Sequence, residues 1–326
     1  MADRAVETVS KRSDFYGTAV ATRDAYGAAL VGLGSRNEKV VVLDADLSGS
    51  TKTAKFGKSF PDRFFNIGIS EQDLVGTAGG LSLTGKIPFA STFAVFASGR
   101  AWEQVRQTLC YSHLNVKLVA THGGITVGED GASHQALEDV AIMRVIPGMT
   151  VIVPSDGYET KQVIDVIAEF AGPVYVKLGR AKVPSVMPED YRFRIGKAYT
   201  FNIGRDVNIV ANGIMVSAAI EARDILTQEG IDAGVINMPT VKPLDTEALL
   251  FAAGASRLIV TAEEHSIIGG LGGAVAEFLS ENHPIRIKRV GTHDTFGCSG
   301  SPKELLALFG LTAGDIACAA REGLGA

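Results

Sequence analysis

Short apolar runs alternate with segments of helical periodicity along most of the chain, and this alternation constrains the fold more than any other feature. The runs at 39–43, 116–120 and 174–178 are nearly continuous in apolar residues, which is typical of strands covered on both faces. Segments with helical spacing, such as 158–170, lie between such runs. This alternation predicts an α/β fold with a doubly wound, mostly parallel sheet.

A segment rich in helix and strand breakers, PSVMPEDYRFRIG at 184–196, interrupts the alternation, which restarts near residue 207. The sequence therefore predicts two α/β domains, of which the second is the smaller. We place the first domain at 15–185, a linker at 186–196 and the second domain at 197–326. A flexible, polar N-terminus is expected at 1–14.

The composition excludes several classes of protein. A net charge of −5 without any block of Lys and Arg argues against nucleic acid as a partner. The three cysteines are far apart and form no C-x-x-C pair, which favours a reducing compartment. The N-terminus mixes acids with bases, unlike a signal peptide, and no apolar run is long enough to span a membrane. We therefore expect a cytoplasmic protein.

An acid and two aromatic residues form the first candidate group. Glu71 follows the apolar run FFNIGI and opens a helix of small residues, so its carboxyl is expected to be partly buried and able to hold or share a proton. Phe93 and Phe96 follow in the string TFAVF. The plainer interpretations are a helix N-terminal acid and a pair of core aromatics.

The Gly-rich string ATHGGITVGEDGASHQALED forms the second group, with His122 and His134 twelve residues apart around Glu129 and Asp130. A flexible surface loop is the plainer interpretation. A metal site formed by His122, Asp130 and His134 is the obvious competitor. The string lacks the short pairing of an H-E-x-x-H motif, and no cysteine joins it, so no metal site is expected here.

The order and spacing of these motifs resemble the pyrimidine-binding half of transketolase, a thiamine diphosphate enzyme. The resemblance runs from about residue 23 to the C-terminus and is strongest between 46 and 180. It implies that Glu71 hydrogen-bonds the aminopyrimidine ring of the cofactor and promotes its activation, and that Phe93 and Phe96 pack on that ring. Gly99 departs from the family, which has a tyrosine there. We expect a wider pocket on that side, or one filled by another chain.

The resemblance also implies a sugar-phosphate site. Arg23, Ser50 and Arg180 match positions that bind the terminal phosphate, and Asp46 matches a residue that orients donor hydroxyls. His122 would contact the sugar and its phosphate. Asp130 would read the hydroxyl next to the carbonyl, and His134 the hydroxyls near the reacting carbons. Glu71, His122 and His134 are the predicted catalytic residues, since imidazoles can relay protons near neutral pH.

Half of a complete thiamine site is missing from the chain, which contains no GDG motif. The resemblance implies a separate N-terminal transketolase subunit that carries GDG and holds the diphosphate and Mg²⁺ or Ca²⁺, in an α2β2 assembly. The second domain would serve assembly rather than catalysis. Its Glu263-Glu264-His265 string is interpreted as a polar helix entrance, and the Gly-rich run 269–273 as close helix packing rather than a nucleotide site.

The function that these features favour is the C-terminal subunit of a split transketolase, with a reaction of the pentose phosphate pathway. It would move a two-carbon ketol unit from a ketose phosphate to an aldose phosphate. The β subunit of a 2-oxoacid dehydrogenase first component shares the two-domain plan and is the main alternative. A 1-deoxyxylulose-5-phosphate synthase-like enzyme and a non-catalytic scaffold are the others.

Overall fold

The computed structural model describes residues 15–325, so the predicted N-terminus at 1–14 lies outside the described residues. Fourteen strands are described: β1 Val20–Ala21, β2 Val40–Asp44, β3 Phe64–Asn66, β4 Ile87–Phe93, β5 Lys117–Thr121, β6 Thr150–Ile152, β7 Val174–Lys177, β8 Lys182–Val183, β9 Tyr199–Asn202, β10 Val207–Ala211, β11 Ala233–Asn237, β12 Thr240–Lys242, β13 Leu258–Ser266 and β14 Arg286–Thr292.

The α-helices are α1 Thr22–Arg36, α2 Ser48–Thr51, α3 Ala54–Ser59, α4 Glu71–Leu83, α5 Ala94–Gly99, α6 Trp102–Gln104, α7 Asp139–Arg144, α8 Gly157–Glu169, α9 Met215–Gln228, α10 Thr246–Ala255, α11 Leu271–Asn282, α12 Pro302–Leu308 and α13 Ala313–Leu324. A π-helix at Val105–Tyr111 and 3-10 turns at Pro61–Arg63 and Ile125–Asp130 complete the described elements.

The first sheet has seven strands in the order β12-β6-β7-β5-β4-β2-β3, and its pairs are parallel except for β12 with β6. Every residue of β2, β5 and β7 is buried, as their continuous apolar sequences predict. One apolar cluster beneath α4 and α7 covers one face, and another beneath α1 and α8 covers the other. The predicted doubly wound α/β domain is thereby confirmed.

The second sheet has five strands in the order β14-β13-β10-β11-β9, parallel except for β9 with β11. Helices α9 and α13 pack on one face, and α10 and α11 on the other. The string Ser301-Pro-Lys-Glu304 predicts a capping box, and the structure confirms it: the Ser301 and Glu304 side chains bond each other's backbone at the start of α12, where Pro302 is the first residue. The predicted two-domain α/β fold is therefore confirmed.

Two features differ from the sequence interpretation. The amphipathic pattern at 99–111 predicts a helix there, whereas the helical region begins at Ala94 in α5 and is a π-helix from Val105. Strand β12 follows β11 in sequence but joins the first sheet rather than the second. A three-residue strand lacks the length that periodicity needs, so the sequence did not reveal this crossing between the two sheets.

The segment predicted as a linker packs tightly against its surroundings. Tyr191 is buried, and its hydroxyl donates to Glu159 Oε1 on α8 at 2.5 Å. Asn237, at the end of β11, donates to the same oxygen at 2.8 Å. One buried carboxylate therefore joins α8, the 186–196 segment and the second sheet. The exact domain bounds stay a prediction.

Glu159 should make the stability of the protein depend on pH. Burial raises the pKa of Glu159 to about 7, against the hydrogen bonds from Tyr191 and Ser155. Because the folded pKa exceeds that of the unfolded chain, this group's contribution to stability is fully present below about pH 4.5 and is lost as pH rises through 7. We expect Glu159→Gln to remove this dependence.

Urea unfolding at pH 5 and pH 8 measures the effect. The free energy of unfolding should fall from pH 5 to pH 8 in the wild-type protein but not in Glu159→Gln. The difference between the two proteins should therefore be larger at pH 5. Glu169→Gln, at the exposed end of the same helix, is the control and should differ from wild type equally at both values. An equal difference at both pH values for Glu159→Gln would contradict the assignment.

Candidate active site

The predicted site residues gather at one edge of the first sheet. Phe93 is the last residue of β4, and it pairs in register with Thr121, the last residue of β5. His122 follows directly, and Arg180 lies three residues beyond the end of β7. Asp46 follows the end of β2. Because these strands are parallel, their carboxyl ends meet at the same edge, where open α/β sheets bind ligands.

The two phenylalanines and the two histidines form one aromatic cluster. The rings of Phe93 and Phe96 are nearly parallel, with centroids 5.8 Å apart. His122 stacks on Phe93 at 3.8 Å. His134 meets the edges of Phe93 and Phe96 at 6.1 and 5.6 Å. The structure therefore brings together four residues that the sequence places in separate strings.

Glu71 joins this cluster through Arg100, which the sequence analysis missed. Glu71 begins α4 and is only 4% exposed. Arg100 Nη1 lies 2.9 Å from Glu71 Oε1, and its guanidinium lies 4.1 Å above the ring of Phe96. A signal was present, since a residue four positions after Phe96 shares its helical face. Around Gly99 there is open space: a Cβ atom built there would meet nothing within 4 Å.

His122 is buried between a cation and a hydroxyl. Arg23 Nη1 lies 3.0 Å from its Nε2 and also donates to the Ser50 carbonyl at 3.1 Å. Because a guanidinium can only donate, Nε2 accepts, and Nδ1 carries the hydrogen that it gives to Thr121 Oγ1 at 2.8 Å. His122 also has a left-handed φ of 59°, a backbone conformation that few residues other than glycine adopt.

The surroundings of His122 keep its imidazole neutral. Burial lowers the pKa of His122 to about 3, and the nearby charges of Arg23, Arg180, His134 and Lys52 lower it further. With this pKa the ring stays neutral at pH 7, with a single hydrogen on Nδ1 and no second proton of an imidazolium. In the structure His122 is a hydrogen-bonding group, and the proton relay predicted from the sequence stays a prediction.

The guanidinium groups of Arg23 and Arg180 lie near each other beside His122. Burial lowers the pKa of Arg23, and the neighbouring charge of Arg180 contributes in the same direction. Arg180 donates to Glu129 Oε2 at 2.8 Å and to the Val127 carbonyl, and it lies 3.9 Å from Asp130 Oδ1. The loop thus neutralises a cation that an anionic ligand could bind instead.

Asp46 lies at the rim of this edge, on the side of β3. It is exposed, has a left-handed φ of 63°, and accepts a hydrogen bond from Asn66 Nδ2 at 2.8 Å. Beneath it, the buried Asp44 accepts from Leu47 N and from Thr51, and so shapes the turn that presents Ser50. The structure places Asp46 on the same edge as the aromatic cluster but in contact with Asn66, another residue that the sequence analysis missed.

The prediction that 263–265 lie at the entrance of a helix is wrong for Glu264 and His265. All three lie in β13, and Glu263 alone accepts from Leu271 N and Gly272 N at the start of α11. Glu264 instead points to the first domain. The Gly-rich run does pack closely, as predicted: a Cβ atom at Gly270 would lie 2.1 Å from Glu263 Oε2.

Neither a metal cluster nor a membrane helix is found between residues 15 and 325. No group of three or more His, Cys, Asp or Glu side chains in this range could hold a metal ion. Within the same range, no helix is both long and apolar enough to cross a membrane.

We expect His122 to stay neutral between pH 5 and pH 8. In nuclear magnetic resonance titrations, its ring signals, assigned with a His122→Gln variant, should show no inflection in this range. Arg23→Met removes a nearby cation and should raise the pKa of His122. An inflection between pH 5 and pH 8 in the wild-type chain would contradict the burial argument.

Two family models match the chain. Residues 18–185 match the transketolase pyrimidine binding domain, and residues 196–316 match the transketolase C-terminal domain. Together they cover most of the described residues, including the complete sheet edge with its aromatic cluster.

Individual relatives agree with these models. The chain is 52% identical over 298 residues to a putative transketolase C-terminal section of Methanocaldococcus jannaschii, covering 90% of this chain and 93% of the relative. It is 43% identical over 300 residues to a 6-deoxy-6-sulfo-D-fructose transketolase subunit of Clostridium sp. (strain MSTE9), covering 92% and 93%. A solved split gene transketolase, an inactive beta4 tetramer, has a TM-score of 0.88 at 55% identity, covering 94% of this chain and 99% of that chain. The chain belongs to the transketolase family and corresponds to its pyrimidine-binding and C-terminal domains.

Proposed function

We propose that the chain is one subunit of a two-subunit transketolase, which moves a two-carbon ketol unit from a ketose phosphate to an aldose phosphate. The observation that carries this proposal is a single continuous site. It runs from Glu71 and Arg100, over Phe96 and Phe93, to the cationic end formed by Arg23 and Arg180. A carboxylate, an aromatic shelf and an anion-binding end occur here in the order that a heteroaromatic cofactor and a sugar phosphate require.

The residues present fit the pyrimidine end of thiamine diphosphate. The half-buried Phe96 and the buried Phe93 offer nearly parallel faces for a flat ring, and the buried carboxylate of Glu71 lies beside them. When bound, thiamine diphosphate would supply the nucleophilic carbon for ketol transfer. Glu71 would bind a ring nitrogen and hold a proton there, while the two phenylalanines exclude water from that contact.

The other end of the site suits a sugar that carries a terminal anion. Arg23 and Arg180 would bind the phosphate together with Ser50, and Glu129 would release Arg180 in exchange. When the phosphate draws Arg23 away, Nε2 of the neutral His122 would accept a hydrogen bond from a sugar hydroxyl beside Asp130 and His134. A relative named for 6-deoxy-6-sulfo-D-fructose supports a terminal tetrahedral anion as the shared feature of the donors.

A partner subunit would supply the remainder of the site. One relative is named a C-terminal section, and a similar solved structure is that of a split gene transketolase in an inactive beta4 tetramer. These two relatives support a separate N-terminal subunit. In our proposal that subunit carries a GDG motif, holds the diphosphate and Mg²⁺ or Ca²⁺, and forms an α2β2 assembly with the chain. The chain alone should then be inactive.

Reconstitution tests this function. The chain, purified with its partner from the native source and given thiamine diphosphate and Mg²⁺, should turn over xylulose 5-phosphate with an aldose phosphate acceptor. Glu71→Gln should lower this rate by ~10²–10⁴-fold, because the variant cannot hold the proton. Coupled detection of the aldose product measures the rate.

The matched control is Asp73→Asn, a second acid in the first turn of α4 that bonds Thr77 on the exposed side. It should retain the wild-type rate. Full activity of Glu71→Gln would overturn the role of Glu71. A complex active only on 2-oxoacids would move the assignment to the dehydrogenase alternative, and turnover by the chain alone would remove the need for a partner.

A further inference from the structure

A side chain of the second domain reaches the loop that carries the candidate substrate-binding residues. Glu264 lies in β13 and is 7% exposed. Its Oε1 accepts a hydrogen bond from the backbone N–H of Thr126 at 2.7 Å. Thr126 belongs to the segment 122–134, the histidine loop, whose ends carry His122 and His134. The contact therefore joins the second sheet to the backbone of that loop.

The loop has glycines where the buried side chains approach it. Gly124 has a left-handed φ of 90°, and a Cβ atom there would lie 2.2 Å from Glu264 Cδ. A Cβ atom at Gly123 would lie 2.6 Å from Lys177 Cε. Only glycine leaves room for a carboxylate and a lysine stem at these distances. The two side chains fill the space beneath the loop and support its backbone directly.

The buried charges beneath the loop are paired. Lys177 Nζ donates to Asp139 Oδ1 at 3.0 Å and to the backbone carbonyl of Glu264 at 2.9 Å. Burial raises the pKa of Glu264, while Lys177 and the N–H of Thr126 act in the opposite direction. Removing the Glu264 carboxylate leaves the buried N–H of Thr126 without its acceptor, while the pair of Lys177 with Asp139 remains. The side chain of Glu264 and the bond from Lys177 to its backbone carbonyl therefore tie strand β13 to the first domain.

We propose that Glu264 is a positioning residue, through which the second domain holds the histidine loop in the shape that presents His122 and Asp130 to the substrate. The second domain then takes part in substrate binding as well as in assembly. The effect on substrate rests on the proposed function, whereas the support of the loop backbone does not.

The chain offers a matched control in the neighbouring residue. Glu263 is also buried, at 2% exposed, and also accepts backbone N–H bonds, at 2.7 and 2.8 Å. Its partners, Leu271 and Gly272, both lie in the second domain. Glu263→Ala and Glu264→Ala should both lower the stability of the protein. Only Glu264→Ala should loosen the histidine loop in particular.

Hydrogen exchange of the full chain, followed by mass spectrometry, tests the support of the loop. Glu264→Ala should speed exchange of the amides at 125–131 by ~10-fold or more, while Glu263→Ala speeds those at the start of α11. Glu264→Gln keeps an acceptor for Thr126 N and should match wild type. Glu264→Asp shortens the reach by one methylene and provides the test if Glu264→Ala does not fold. Unchanged exchange at 125–131, or equal change in the Glu263 control, would overturn the proposal.

Kinetics of the reconstituted complex test the effect on substrate. Glu264→Ala should raise KM for the sugar phosphate by ~10-fold with a much smaller change in kcat, and Glu264→Gln should restore it. A fall in kcat alone would contradict a positioning role. Glu264→Ala could speed exchange of the histidine loop while the wild-type complex shows no ketol transfer. That result would keep the support of the loop and reject the proposed function.

Discussion

The parallel pairing of β4 with β5 is the constraint on which the site depends. It places Phe93 opposite Thr121, so that the aromatic shelf and His122 leave adjacent strands at the same height. The pairing of β5 with β7 then brings Arg180 to the same edge. Since these strands are buried on both faces, their register is fixed by the packing of the surrounding helices rather than by the site itself.

The charged side chains at this edge of the sheet pair with each other, and the imidazole of His122 is buried among them. Arg100 pairs with Glu71, and Arg180 pairs with Glu129, so two groups expected to bind ligands are occupied by the chain's own charges. His122 is kept neutral by burial and by the cations around it. Each pair involves a partly exposed arginine, which limits its strength. In the proposed function, a cofactor and a sugar phosphate would replace these partners.

Local sequence predicted the longer strands and the two α/β domains, because these follow from apolar runs. The residues of the aromatic cluster came from the resemblance to transketolase. Local sequence did not predict Arg100 as the partner of Glu71, although the position of Arg100 four residues after Phe96 was a signal. It could not predict the contact of Glu264 with Thr126, since a partner 138 residues away leaves no local pattern. The environment of His122 leaves no local pattern for a related reason. Its pKa depends on burial and on charges from four separate residues, which only the folded chain brings together.

The central claim is that the cationic end of the site binds the terminal phosphate of a sugar donor. Steady-state kinetics of the reconstituted complex with Arg180→Gln test it most directly, using xylulose 5-phosphate and free xylulose as donors and the exposed Arg36→Gln as control. We predict that KM for the phosphorylated donor rises by ~10–100-fold, because a charged hydrogen bond is lost, while the parameters for the free sugar and for the control do not change. Equal loss on both donors would contradict the account.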